Sequence, residues 1–260
     1  MKYTEEALKN DLRHVRVPEE IAGSYWGELE SSICASLKEL PLTSFTQWPT
    51  IRSTMFHEAS SLEYSKVLKS RFSELLAEDA IGSPLPYYLD KKTSGNLIHH
   101  FYSLIEFEEH TKINIKDVKS IYEFGGGYGS FCRAVFRAGF FGEFTILDLP
   151  ALSLLQRYFL SHVLPSIEQI QFITKPILGH RPELFVALWS LSEAPEPYRD
   201  KVLDSIGSPR AFLLTYNWDS FGDNRSYFTK VKNRFSYINW IEYEIKHLPG
   251  SVYLFGEKND

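Results

Sequence analysis

Short apolar runs alternate with helix-like apolar spacing from about residue 118 to the end of the chain. Such runs predict buried strands, and apolar residues three and four positions apart predict the helices between them. The predicted strands lie at residues 120–124, 144–147, 169–173, 184–189, 210–215, 243–246 and 252–255. Because strands and helices alternate, we expect an α/β fold with right-handed crossovers, a mostly parallel sheet and a ligand at the carboxyl ends of its strands.

The first part of the chain shows helix-like spacing without that alternation. Apolar residues keep helical intervals at 8–15, 26–40, 55–76 and 97–105, and Trp48-Pro49 predicts a turn. The pattern predicts a helical N-terminal lobe at residues 1–116 and a Rossmann-like domain at residues 117–260.

A glycine-rich turn joins the first predicted strand to the helix that follows it. Glu123 lies near the end of that strand, and the second strand leads into Asp148 and Leu149. Glycines let a ligand lie against the backbone, and an acid about twenty residues further on can accept hydrogen bonds from a ribose diol. The unit therefore predicts a nucleotide-like ligand. The turn contains four glycines, which are Gly125, Gly126, Gly127 and Gly129.

The spacing of these glycines separates the candidate cofactors. A dinucleotide fingerprint requires GxGxxG and a P-loop requires GK[ST], whereas Gly125, Gly127 and Gly129 form GxGxG. That spacing resembles motif I of the class I methyltransferases, which use S-adenosylmethionine. The resemblance implies that Glu123 lies near the methionine amino group of the cofactor and that Asp148 holds its ribose. A nicotinamide or flavin cofactor and a purely structural turn are the alternatives, and the second leaves both acids unexplained.

A narrower resemblance extends over about residues 80–260. The segments EFGGGYGSFCR, TILDLPALSLLQRYFL, WSLSE and NLIHHFY are similar to those of a bacterial family of sugar O-methyltransferases. The class I resemblance implies a seven-stranded sheet with an antiparallel last strand and contacts of Trp189 with the cofactor. The narrower resemblance implies a glycan or nucleotide-sugar acceptor. Another small-molecule or peptide acceptor, and a non-catalytic S-adenosylmethionine-binding protein, remain the alternatives.

Composition and charge narrow the function classes. The formal net charge is −5 and aromatic residues make up 15% of the chain, so we expect no nucleic-acid partner and an aromatic-lined pocket. The basic and aromatic stretch at 225–240 is better explained as a partly solvated surface than as an RNA-binding site. Two cysteines form no disulfide or metal spacing, and we expect a soluble, cytoplasmic protein without membrane contact.

Methyl transfer to a hydroxyl needs a proton acceptor, and histidine is the commonest choice. The candidate catalytic residues are therefore His99 and His100, which precede the glycine turn, together with Glu193 after the fourth strand. The candidate substrate-binding residues are Tyr88, Asn96 and Asp219, with Asn217 as an alternative to Asp219. No two-histidine–carboxylate spacing is visible along the chain, so we predict no required metal.

Overall fold

The structure is a computed structural model that describes residues 2–219 and 221–258. Its seven strands are β1 (Ser120–Phe124), β2 (Glu143–Leu147), β3 (Ile170–Ile173), β4 (Leu184–Leu188), β5 (Ala211–Asn217), β6 (Ile238–Glu244) and β7 (Ser251–Lys258). They form one sheet in the order β3-β2-β1-β4-β5-β7-β6, in which β7 runs antiparallel to both of its neighbours. The predicted fold class, a Rossmann-like α/β fold with a mostly parallel seven-stranded sheet and an antiparallel last strand, is confirmed.

The central strands were predicted almost to the residue because both of their faces are covered. Strands β1, β4 and β5 are buried along nearly their whole length, so each is a continuous apolar run. The sixth strand was predicted at residues 243–246 but begins at Ile238. In the edge strand β6 only Ile238 is buried and the other positions are half-buried or exposed, and this weakens the apolar run that identifies a strand.

Five helices belong to the C-terminal part of the chain, namely α6 (Ser130–Arg137), α7 (Pro150–Val163), α8 (Ser190–Glu193), α9 (Glu196–Ser205) and α10 (Asn224–Arg234). Pro150 is the first residue of α7, a position where the missing N–H of proline costs nothing. The sequence did not predict the short helix α8, which follows β4 directly and brings Glu193 to the carboxyl edge of the sheet.

Among the described residues, five further α-helices precede the sheet: α1 (Glu5–Leu12), α2 (Tyr25–Glu39), α3 (Pro49–Thr54), α4 (Ser61–Leu68) and α5 (Gly95–Thr111). Within residues 2–116 the structure describes no strand, and only an isolated bridge joins Pro86 to Ser94. The turn predicted at Trp48-Pro49 is instead the start of α3, with Pro49 as its first residue. The boundary at 116/117 stays a prediction, because apolar residues on both sides of it belong to one continuous core.

Charged side chains join the N-terminal helices to α6. The buried guanidinium of Arg133 bonds Glu78 and also donates to Oδ2 of Asp79 at 3.1 Å. Arg137 Nη2 donates to the same Asp79 oxygen at 2.6 Å. These contacts hold the segment before α5 against the helix that begins at the glycine turn. No helix in the described ranges is both long and apolar enough to cross a membrane.

Candidate active site

A cavity of about 400 Å³, here called the main cavity, opens at the carboxyl ends of β1, β2 and β4. The glycine turn and the adjoining acids form its floor, and the N-terminal helices α2 and α5 form the facing wall. Most of the predicted site residues line it, namely Asn96, His99, His100, Glu123, Gly125, Gly126, Gly127, Asp148, Leu149, Trp189 and Glu193.

The glycines of the turn allow close packing of neighbouring residues, and three of them also line the main cavity. Gly125 has a φ of +76°, and a Cβ placed on it would lie 2.2 Å from the Cβ of Ser190. Gly129 has a φ of +96°, caps the start of α6 and does not line the main cavity. The structural alternative thus accounts for these two positions. Gly127, with a φ of +58°, also has a backbone conformation that favours glycine; it lines the cavity, and an added Cβ would lie 3.3 Å from the sulfur of Met55.

Glu123 is a buried acid without a partner. Its side chain is 2% exposed, and Oε2 accepts no hydrogen bond from any residue in the described ranges. Burial, and in second place the charge of Asp148, raise the pKa of Glu123 from 4.5 to about 8. A buried carboxyl group in this condition is stabilised by any ligand that brings a hydrogen-bond donor or a positive charge.

Asp148 follows β2 and is fixed by two donors. Its Oδ1 accepts from the Leu149 N–H at 2.7 Å, and its Oδ2 accepts from Gln156 Nε2, also at 2.7 Å. Gln156 Nε2 also donates to the carbonyl of Gly127 at 2.8 Å, which ties the acid to the glycine turn. Burial raises the pKa of Asp148 to about 7 against the effect of these bonds. Each carboxylate oxygen keeps capacity for a further donor.

Trp189 has a strained backbone at the cavity wall. Its φ is +65° and its ψ −31°, a region that L-residues rarely adopt and that clusters at functional sites. Two hydrogen bonds hold it there, since Trp189 N–H donates to the carbonyl and to Oγ1 of Thr215, at 3.0 and 2.9 Å. Its ring lies 5.1 Å from that of His99, and burial raises the pKa of the neighbouring Glu193.

The paired histidines of α5 point to different partners. His99 Nδ1 lies 2.5 Å from Oε1 of Glu63, and His100 Nδ1 lies 3.1 Å from Oγ of Ser130, at the start of α6. Burial lowers the pKa of His99 to about 4 and that of His100 well below its usual value. Both rings are therefore neutral near pH 7.

The side-chain amide of Asn96 is held by hydrogen bonds to three neighbouring residues. Its Oδ1 accepts from His57 N–H at 2.6 Å, and its Nδ2 donates to the carbonyl of Met55 at 2.7 Å and lies 3.1 Å from the Tyr128 hydroxyl. The structure thus uses this amide to hold the segment after α3 against the glycine turn. Its proposed contact with a substrate stays a prediction.

Two predicted substrate residues lie away from the main cavity. Tyr88 is 56% exposed and packs edge-on against Tyr87, and Asp219 is exposed beyond the end of β5. Strand β5 runs on to Asn217, so Asn217 lines the cavity instead of Asp219. The placement gives Tyr88 and Asp219 no support as substrate residues.

Several lining or supporting residues were missed by the sequence analysis. Gln156 lies on α7 two turns beyond the acid it bonds, a spacing that could have indicated it. Tyr25, at the start of α2, had no such signal. His57 and Glu63 also had none, because the fold joins them to His99 across some forty residues of chain; their ligand atoms all lie within 4.8 Å of one another. A two-histidine–carboxylate cluster therefore exists although the linear spacing showed none.

No protein-family model and no curated protein sequence matches the chain. Similar solved structures include the methyltransferase domain of bacterial CtHen1, with 9% identity over 64% of this chain and 99% of that one and a TM-score of 0.48. The glycopeptide N-methyltransferase MtfA with sinefungin has 13% identity over 60% and 85%, with a TM-score of 0.47. Magnesium protoporphyrin IX methyltransferase from Synechocystis PCC 6803 has 13% identity over 62% and 83%, with a TM-score of 0.44. Likeness at this level concerns the fold and carries no information about the acceptor.

Proposed function

We propose that the protein is an S-adenosylmethionine-dependent methyltransferase. The observation that carries the proposal is the pair of buried acids, Glu123 and Asp148, at the ends of adjacent parallel strands beside one glycine turn and one cavity. A cofactor amino group beside Glu123 would supply the cationic partner that this buried carboxyl group does not have within the described residues. The two ribose hydroxyls would occupy the remaining acceptor capacity of Asp148.

The acceptor is proposed to be a sugar hydroxyl. A second cavity of about 240 Å³, here called the side cavity, shares Tyr25 and Glu193 with the main cavity. Its lining combines the aromatic rings of Phe221 and Tyr227 with carboxyl groups, and the rings of Tyr25 and Phe221 lie 5.1 Å apart. Sugar rings pack their apolar faces on aromatic side chains, and their hydroxyl groups donate hydrogen bonds to carboxylates. This lining supports a glycan or nucleotide sugar that enters through the side cavity.

When bound, S-adenosylmethionine supplies a methyl group on a positively charged sulfur, which the acceptor oxygen takes up in one displacement, leaving S-adenosylhomocysteine. The protein must orient the acceptor and remove its proton. His100 is the proposed base because its ring is neutral and lines the main cavity. If Nδ1 donates to Ser130 Oγ, then Nε2 carries the lone pair that accepts the proton. Glu193 is proposed to accept a hydrogen bond from the acceptor.

The experiment is a methyl-transfer assay with S-adenosylmethionine and a panel of nucleoside diphosphate sugars, read by mass spectrometry. We expect one sugar to gain a methyl group and His100→Asn to lower kcat by about 100-fold, the usual scale for a lost general base, with unchanged affinity for S-adenosylhomocysteine. Methylation of a phenol or peptide panel but no sugar would contradict the acceptor class. Cofactor binding without transfer to any acceptor would favour a non-catalytic binding protein.

A further inference from the structure

A buried carboxylate next to the main cavity faces several imidazole nitrogens at once. Glu63 is completely buried, and its Oε2 accepts from the Ser60 N–H at 2.5 Å, which closes a capping box at the start of α4. Its Oε1 lies 2.5 Å from Nδ1 of His99 and 3.2 Å from Nε2 of His57. Nε2 of His247 lies 3.4 Å from the same oxygen.

These side chains come from separate segments of the chain, and helix capping alone does not explain why they meet. His57 comes from the segment between α3 and α4, Glu63 from α4, His99 from α5 and His247 from the turn between β6 and β7. A capping box needs only the serine and the glutamate. The histidines place ring nitrogens around one carboxylate oxygen, to which they can donate hydrogen bonds, and the His57 and His99 rings lie 3.8 Å apart. Imidazole nitrogens and one carboxylate, once the nitrogens have released their protons, are the donor set of a transition-metal site.

We propose that His57 Nε2, His99 Nδ1 and a carboxylate oxygen of Glu63 bind one divalent metal ion of the zinc type. The ligand atoms lie within 4.8 Å of one another. Around a tetrahedral ion with bonds of about 2.1 Å, ligand atoms are about 3.4 Å apart, so the three need to shift only by rotating their side chains. Two imidazoles and one carboxylate select zinc and its neighbours over magnesium or calcium, which prefer all-oxygen sites.

The surroundings hold these three ligands in place. Ser60 N–H fixes the second oxygen of Glu63, and Asn96 Oδ1 fixes the backbone of His57. Such supporting bonds orient metal ligands and raise metal affinity. His57 and His99 also line the main cavity, so the ion would lie in its wall. Three protein ligands leave a coordination position for water or a substrate oxygen.

Metal binding is independent of the proposed methyl transfer and is tested without it. The full-length protein is stripped with a chelator, dialysed and titrated with Co²⁺, whose visible d–d absorption reports coordination by nitrogen and oxygen, and then with Zn²⁺ in competition. We expect one Co²⁺ per chain with a dissociation constant in the micromolar range or below, and displacement by one Zn²⁺.

The matched variants are His57→Ala, Glu63→Gln and, as control, His162→Ala, a histidine of α7 outside the cluster. The His57 side chain is 19% exposed and lies outside the helices, so His57→Ala is expected to fold even if Glu63→Gln, which changes a fully buried side chain, does not. We expect both cluster variants to weaken Co²⁺ binding by at least 100-fold and the control to leave it unchanged. Millimolar or absent binding by the wild type, or equal binding by His57→Ala, would overturn the proposal.

Discussion

Burial of an acid without a partner is the residue-scale feature on which the cofactor proposal depends. Glu123 keeps its proton in the folded protein up to about pH 8, whereas its ordinary pKa is 4.5. Below pH 4.5 the carboxyl group is protonated in the folded and the unfolded chain alike. Between these values the unfolded chain has released the proton that the folded chain retains, so the free energy of unfolding falls as the pH rises.

Between pH 5 and pH 8 we expect the free energy of unfolding of the ligand-free protein to fall relative to that of Glu123→Gln. The low pKa values of the buried His99 and His100 act in the opposite direction in both proteins, so the comparison isolates Glu123. The difference should amount to a few kcal/mol at most, because one pKa unit corresponds to about 1.4 kcal/mol. Asp148 and Glu30, whose pKa values burial raises to about 7, keep part of the slope in the variant. Urea unfolding of both proteins at pH 5 and pH 8 measures this difference. An equal change in the free energy of unfolding of the two proteins would contradict the buried placement of Glu123.

At the scale of elements, the strand–turn–helix–strand unit from β1 to β2 was predictable, and much of the facing wall was not. Glu123, the glycines and Asp148 lie on one local unit, so their spacing along the chain fixes their geometry. Helix α5 was predicted as well, but its contacts with Glu63 and His57 depend on how distant segments pack. The edge strand β6 was misplaced for a different reason, since exposure on one face removes the continuous apolar run.

Helix α5 holds the segment after α3 in place through the hydrogen bonds of Asn96, so removing this side chain should destabilise the protein. Asn96→Ala removes hydrogen bonds to His57, Met55 and Tyr128 and leaves the buried Tyr128 hydroxyl without that partner. We expect a loss of about 2–3 kcal/mol in the free energy of unfolding, at roughly 1 kcal/mol for each bond. Asn10→Ala, at an exposed position of α1, is the control. A loss as small as that of the control would show that Asn96 does not hold this segment.

At the scale of the whole molecule, the N-terminal helices and the sheet domain share one core and a buried ion-pair group. Arg133 on α6 bonds Glu78 and Asp79 on the segment before α5. The main cavity lies between these two parts, so their packing sets its shape. The sequence predicted both parts but no contact between them, because ion pairs between distant segments leave no periodic pattern.

Breaking this ion-pair group should destabilise the whole protein. Arg133→Ala leaves the carboxylate of Glu78, whose side chain is only 10% exposed, without its buried cation, and we expect a loss of about 3 kcal/mol in a single cooperative transition. Replacing both partners, as in Arg133→Met with Glu78→Gln, should restore much of that loss, because no buried charge remains unpaired. Thermal and urea unfolding of the three proteins provide the measurement. Two separate transitions in the wild type would instead mean that lobe and domain unfold independently.

The measurement that tests the central claim most directly is a calorimetric titration with S-adenosylhomocysteine, run beside NAD. We expect one S-adenosylhomocysteine per chain and no NAD. Asp148→Ala should weaken binding by about 1–3 kcal/mol through its lost ribose bonds, while Glu168→Ala, at an exposed position, should leave it unchanged. Binding of NAD alone, or of neither ligand, would contradict the assignment of the cavity between Glu123 and Asp148 to S-adenosylmethionine.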